Sequence, residues 1–290
     1  MGLNGVVVID KPMDWTSMDV CAKLRGVFGE KRVGHAGTLD PMATGVLPVF
    51  VGRATRAVDF VNEGEKEYIA QLRLGLVTDT QDTTGNVLEQ HNLPSDAHAK
   101  LEEILPRFTG EIAQIPPMYS AIKIRGRKLY DLARKGVEVE RKPRPVTIHA
   151  LEILEGEGSD FTLRVVCSKG TYVRTLCHDM GKALGCGGTM AGLRRTRVGQ
   201  FTQENAVTLE DLTAAKDPAA YLRGVDSCFD APCVTIDALA LKRALCGNPF
   251  PLEAEPGEYK VYDPDGAFLL LGKCDGKECK IIKSFYEVRV

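Results

Sequence analysis

Between residues 161 and 184 the hydrophobic period of the chain changes, and no other feature limits its architecture as much. FTLRVVCSKG, at 161 to 170, alternates as a strand with Phe161, Leu163, Val165 and Cys167 on one face. After Lys169-Gly170 the apolar residues Val173, Leu176, Cys177, Met180 and Leu184 recur at helical spacing. A helix therefore follows a strand within a few residues. A second alternating run, EYIAQLRLG at 67 to 75, sets Tyr68, Ala70, Leu72 and Leu74 against Ile69, Gln71 and Arg73. The β-branched run VVVID at 6 to 10 predicts a short buried strand ending at the Lys11-Pro12 turn. SDAHAKLEEIL at 95 to 105 predicts a helix capped by Ser95 and stopped at Pro106.

Beyond Leu222 the text shifts to short strands and turns, which predicts a small β-rich domain after a link near 223 to 232. With 290 residues, either part is long enough to bury a core. No apolar run approaches the ~18 residues of a membrane span, and the N-terminus lacks the layout of a signal peptide, so a cytoplasmic protein without membrane contact is expected. The nine cysteines include no CxxC pair, which speaks against a disulfide framework and gives little support to zinc; reduced, mostly buried thiols are expected.

The formal net charge of -2 argues against indiscriminate binding to polyanions, but the charge is unevenly spread. Residues 121–147 hold nine bases against three acids, whereas 226–265 hold eight acids against three bases. A polyanion would be drawn to the middle of the chain.

The run GHAGTLDPMATG, at 34 to 45, places one carboxylate, Asp40, among glycines and small residues. Locally it reads as a surface turn, since Asp-Pro opens turns and glycine relaxes the backbone. Several familiar sites are absent: GxxxxGK(S/T), GxGxxG after a strand, HExxH and GxSxG. Of five histidines only His35 lies in a loop dense with unusual residues. Tyr68 leads an apolar strand face, where a phenol either lines a pocket or sits in a core. Arg174 falls in the first turn of its helix, off the apolar stripe, where the helix dipole disfavours a cation. A cation placed there answers a nearby anion.

The blocks IDKPMDWTS (9 to 17), GHAGTLDPMATGVLPVFVGRATR (34 to 56), KEYIAQLRLG (66 to 75), QIPPMYSAIKIRGRKLYDLARKG (114 to 136), CSKGTYVRTL (167 to 176) and LRRTRVGQF (193 to 201) resemble, in order, those of the tRNA pseudouridine synthase B family. The resemblance implies an α+β fold: a pseudouridine synthase catalytic domain over 1–225, on a central, mostly antiparallel sheet with the cleft across its middle. A small β-rich PUA-like RNA-binding domain is implied over 233–290. The implied reaction detaches the T-loop uridine base of tRNA, turns it and rejoins it to the ribose through C5, with no cofactor or metal and with a monomer as the working unit.

Asp40 would be the catalytic carboxylate, attacking C1′ or removing a C2′ proton. Glycosidases often need two carboxylates, to activate a leaving group and a water. An isomerase keeps its leaving group, so one suffices. By the same resemblance Arg174 pairs with Asp40, Tyr68 stacks on the base and helps remove the C5 proton, and Leu193 walls the pocket. His35 fills the gap left by the flipped nucleotide, and Lys11 and Tyr172 also contact RNA. Lys123, Arg125, Arg127, Lys128, Arg134 and Arg141 belong to a basic insertion, about 117–145, that would clamp RNA and stay mobile until phosphates neutralise it. The sequence departs from the family at Asp14, where glycine is usual. Two rival readings are a T-loop-binding tRNA folding chaperone with catalysis secondary, and a glycosidase of small nucleosides. The basic insertion speaks against the second.

Overall fold

The computed structural model describes residues 3–120, 122–124 and 126–286. Its main sheet is built from β1 (Gly5–Lys11), β2 (Val33–His35), β3 (Thr44–Val51), β4 (Lys66–Leu74), β7 (Gly110–Gln114), β10 (Arg144–Glu157), β11 (Asp160–Cys167), β12 (Gly188–Val198), β13 (Phe201–Thr202) and β14 (Ala206–Val207). The order is β14-β1-β3-β12-β4-β11-β10-β7, with β2 beside β3 and β13 beside β12. Only the β1–β14 and β3–β12 pairings are parallel, and the latter spans just two residue pairs, Arg194↔Thr44 and Arg195↔Gly45. The sheet is thus mostly antiparallel, as expected, and β3 and β12 diverge at its middle.

Two further hairpins matter for the site: β5 (Leu76–Thr78) with β6 (Val87–Gln90), and β8 (Lys123–Ile124) with β9 (Arg127–Lys128). The helices of this part are α1 (Ser17–Phe28), α2 (Val58–Glu63), α3 (Ala97–Ile104), α4 (Leu129–Ala133), α5 (Val173–Ala183) and α6 (Leu209–Ala214). The alternation read from the sequence is realised in β4 and β11, whose inward residues share one apolar core with Val173, Leu176, Cys177 and Met180 of α5. Burying that stripe holds α5 against the sheet. α3 differs slightly from expectation. Its N-cap is Asp96 rather than Ser95, with no side-chain cap, and Lys100 pairs with Asp96 at 3.0 Å. Pro106 ends the α-helix, but the chain continues into a tighter turn over Leu105–Phe108 that accepts proline near its start.

The C-terminal sheet comprises β15 (Cys233–Thr235), β16 (Phe250–Pro251), β17 (Gly257–Tyr262), β18 (Phe268–Cys274) and β19 (Glu278–Ser284), ordered β15-β17-β18-β19-β16. Helix α7 (Ala238–Leu245) lies against it, with Asp237 Oδ1 accepting from Ala240 N at 2.7 Å. The stretch expected to link the two sheets is itself packed. Arg223 exchanges backbone hydrogen bonds with Val6 at 2.8 and 2.9 Å, and Val225 and Phe229 are buried in a cluster with Phe50, Leu271 and Phe285. Phe229 meets Phe60 edge-on at 5.4 Å and Phe285 at 5.6 Å between ring centres. No described helix is long and apolar enough to cross a membrane.

Candidate active site

Asp40 sits on the loop between β2 and β3, and the segment after β1 fixes that loop from both sides. The Ser17 hydroxyl accepts from Leu39 N at 2.9 Å and donates to Leu39 O at 3.3 Å. On the other side of Asp40, the Pro41 carbonyl accepts from Asp14 N at 2.8 Å and from Lys11 Nζ at 3.2 Å. Lys11 Nζ also donates to Pro12 O and Trp15 O, at 2.7 and 2.6 Å. Asp14 reaches Pro41 in the left-handed backbone region, φ 64°, a conformation that glycine adopts without strain and aspartate at some cost, which bears on the departure from glycine noted above. Lys11, expected to contact RNA, is fully buried. With three carbonyls around its ammonium it braces the Asp40 loop and presents no surface to a phosphate. Burial lowers its pKa to about 8, against the pull of Asp40.

The start of α5 is held by Gln114, whose amide accepts from Tyr172 N at 2.9 Å and donates to Tyr172 O at 3.2 Å. Arg174, the second residue of the helix, points back to the loop. Its Nε lies 3.0 Å from Asp40 Oδ2, and Nη2 donates to Asp40 Oδ1 at 3.3 Å, a two-point contact between a planar fork and a carboxylate. Nη2 also donates to Tyr119 O at 2.8 Å, at the root of the basic insertion. The expected anion for Arg174 is therefore present, and so is a second one. Nη1 donates to Asp82 Oδ2 at 3.4 Å and to Thr80 O at 3.1 Å.

Asp82 was not anticipated, and Asp40 is accordingly not electrostatically alone. The run TDTQDTTGN reads as a hairpin turn, and it is one. What the sequence does not show is that the turn docks on β12, through Thr83 N to Met190 O and Met190 N to Gln81 O, both 3.0 Å. Asp82 Oδ1 is taken up by Thr80 Oγ1 and Thr84 N, at 2.8 and 3.0 Å. The two carboxylates differ in access: the Asp40 side chain is 37% exposed and that of Asp82 6%. Of the two, Asp40 is the one open to solvent.

Tyr68 and Leu193 meet at the same core. Tyr68 is buried on β4, and Leu193, paired in register with Ala70, packs against the core that contains Leu39 and Tyr68. Arg195 lies directly opposite Tyr68 in the β4–β12 ladder and is fully buried. Locally nothing marks it as interior, since it stands in the charged run LRRTR. His35 is half-buried at the end of β2, where burial and then Arg195 lower its pKa and favour the neutral ring. Tyr172 is half-buried at the N-terminus of α5, and burial raises its pKa.

Burial also raises the pKa of Asp40, with Asp82 adding to the effect and Arg174 and Lys11 opposing it. The carboxylate is thus poised between partial burial that disfavours charge and two cations that favour it.

In the insertion, Arg127 and Arg134 are exposed, and Arg134 lies over the Tyr130 ring at 5.7 Å. Lys123 and Lys128 fall on the β8–β9 hairpin, and Arg125 lies outside the described residues. Arg141 departs from expectation. It is 19% exposed, and its two terminal nitrogens reach Pro116 O at 3.2 Å and Glu138 Oε1 at 2.9 Å. It ties the base of the insertion together instead of facing RNA.

Residues 25–173 match the family model described as TruB family pseudouridylate synthase (N terminal domain), and residues 174–228 match that for the tRNA pseudouridylate synthase B C-terminal domain. A tRNA pseudouridine synthase B of Clostridium kluyveri is 41% identical over 290 residues, covering 98% of this chain and all of the relative. One from Burkholderia mallei is 45% identical over 278 residues, 92% of each chain. Among solved structures, the archaeal box H/ACA sRNP Nop10-Cbf5 complex contains a chain that superposes with a TM-score of 0.73 at 27% identity, over 99% of this chain and 88% of that one.

Proposed function

The chain belongs to the TruB family of pseudouridylate synthases, and from that premise we propose that it isomerises the T-loop uridine of tRNA, position 55, with Asp40 as the working carboxylate. It is a pseudouridine synthase, an isomerase acting on tRNA. The observation that carries the assignment of Asp40 is the two-point contact with Arg174, which orients the more accessible of two carboxylates beside Tyr68 and Leu193.

Detaching a base from its sugar builds positive character at C1′, which a nearby carboxylate stabilises. Attack on C1′ and removal of a C2′ proton both require the ionised acid, and the Arg174 fork favours that form while fixing its direction. Tyr68 offers a ring on which the flipped uracil stacks, and Leu193 closes the side of the pocket. The neutral His35 ring takes the place of the extruded base in the loop stack, and Tyr172 contacts the RNA at the helix entrance. The exposed bases of the insertion, Arg127 and Arg134, with Lys123, Arg125 and Lys128 on the same segment, track phosphates. The C-terminal sheet serves as a PUA-like RNA-binding part. The protein works as a monomer in the cytoplasm.

Release of tritium from unmodified tRNA carrying C5-labelled uridine tests this. The wild type should release it, and Asp40→Asn should bind the tRNA and release none. Full turnover by Asp40→Asn removes the mechanism, free uracil points to a glycosidase, and binding without turnover by the wild type points to a folding chaperone.

A further inference from the structure

Arg195 is among the largest fully buried side chains of the protein, and a guanidinium is costly to bury without a carboxylate. None of the described carboxylates lies within salt-bridge distance of it. Two buried cations increase the cost, since Lys11 and Lys66 both feel its charge as repulsion. What holds it is backbone: Nε donates to Val46 O at 2.7 Å and Nη2 to Gly37 O at 3.0 Å.

Two glycines near Asp40 let the chain come this close, Gly37 of its loop to the guanidinium and Gly45 of β3 to the backbone of Arg195. A Cβ on Gly45, φ 100°, would lie 2.2 Å from Arg195 O, and one on Gly37, φ 74°, would meet Nη1 at 3.0 Å. Part of the glycine density around Asp40 therefore serves a residue 150 positions further along the chain. Nη1 meets no acceptor at strict hydrogen-bonding geometry. The residue directly across the ladder from Arg195, on the same face, is Tyr68, the nearest register partner to which that nitrogen could turn.

We propose that Arg195 is a positioning residue for the isomerisation: it donates to the Tyr68 oxygen from beneath and turns the phenol's own hydrogen toward the uracil ring as that ring leaves the sugar. Guanidinium has no acceptor, so a tyrosine oxygen facing it accepts there and must donate elsewhere. This inference rests on the isomerase reading. In that reaction the C1′–N1 bond leaves its electron pair on N1, and the negative charge spreads to the ring oxygens. The pair, relocalised at C5, makes the new bond to C1′, and the proton lost from C5 is balanced by one gained at N1. A donor backed by a fixed cation stabilises the anion between these events.

Three comparisons test it, each on variants whose fold is checked by near-UV circular dichroism. Arg195→Lys should lower kcat roughly a hundredfold, as for loss of a preorganised donor, with KM for tRNA little changed. In a Tyr68→Phe background the same substitution should cost less than about threefold, because the route of action is already gone. With 5-fluorouridine in the tRNA, whose detached ring is the more stable anion, the penalty should shrink by about tenfold, read as loss of 5-fluorouridine from digested tRNA. Should Arg195→Lys fail to fold, Arg195→Gln takes its place in all three. Additive effects with Tyr68→Phe, an equal penalty on both substrates, or a change confined to KM overturns the proposal. A wild type inactive on both tRNAs removes the isomerase reading instead.

Discussion

Arg174 grips Asp40 at two points, 3.0 and 3.3 Å, while its third nitrogen turns away to Asp82 at 3.4 Å. One guanidinium thus sits between an accessible carboxylate and an enclosed one. The arrangement makes the ionisation of Asp40 depend on both partners, in opposite senses.

Activity should therefore fall on acidification with a midpoint above the ordinary aspartate value of ~4, because burial raises the pKa of Asp40. Arg174→Gln removes the cation and should move that midpoint higher, besides lowering kcat. Asp82→Asn removes a like charge and should move it lower. A profile of tritium-release rate against pH checks all three; a wild-type midpoint at or below 4 contradicts the first.

The same carboxylate should weaken the fold. An acid whose pKa is raised on folding binds its proton more tightly in the folded state, so stability is lost as pH climbs from the unfolded value to the folded one. Below both values the proton is bound in both states and the effect vanishes. Asp40→Asn should accordingly raise Tm at neutral pH, with the gain disappearing under acid conditions. Calorimetry at several pH values measures this, and a Tm lowered at pH 7 would speak against it.

Asp14 holds a left-handed turn that glycine occupies without a Cβ penalty. Replacing it by glycine should stabilise the protein by about 0.5–1 kcal/mol, and Asp14→Ala should destabilise it. Urea midpoints decide. Equal destabilisation by both would mean that the carboxylate, which helps keep Lys11 charged, outweighs the backbone strain.

Phe229 is buried among Phe60, Phe268 and Phe285, so it touches elements of both sheets. Phe229→Ala should cost about 3–5 kcal/mol. A single calorimetric transition shifted as a whole is expected. Splitting into two transitions with only one displaced would show that the sheets unfold separately.

Much of this was legible in the chain. Alternation in β4 and β11 and the stripe of α5 are local patterns, and burial follows them with exceptions such as Val166, Arg174 and Thr175, which are buried off the pattern. Arg174 in a helix's first turn signalled an anion because the dipole makes a cation there costly. Asp82, Arg195 and Lys11 were misread or missed for one shared reason. Each belongs to a segment that is ordinary in isolation, a turn, a charged strand and a strand end, and becomes interior only through contact with a distant segment. The glycines that admit Arg195 lie 150 or more positions before it, a spacing that no periodicity reports. Arg141 looked like one more base in a basic run until Glu138 and Pro116 took both ends of its guanidinium.

The phenylalanine seam bears on how such proteins can be recombined. A chimera that exchanges everything after residue 232 would bring a foreign surface against Phe60, Phe50 and Phe229 of the host. The graft should succeed only when it offers those rings the same shape, and a crossover upstream of Arg223 carries Phe229 with the insert and leaves only Phe50 and Phe60 to be matched.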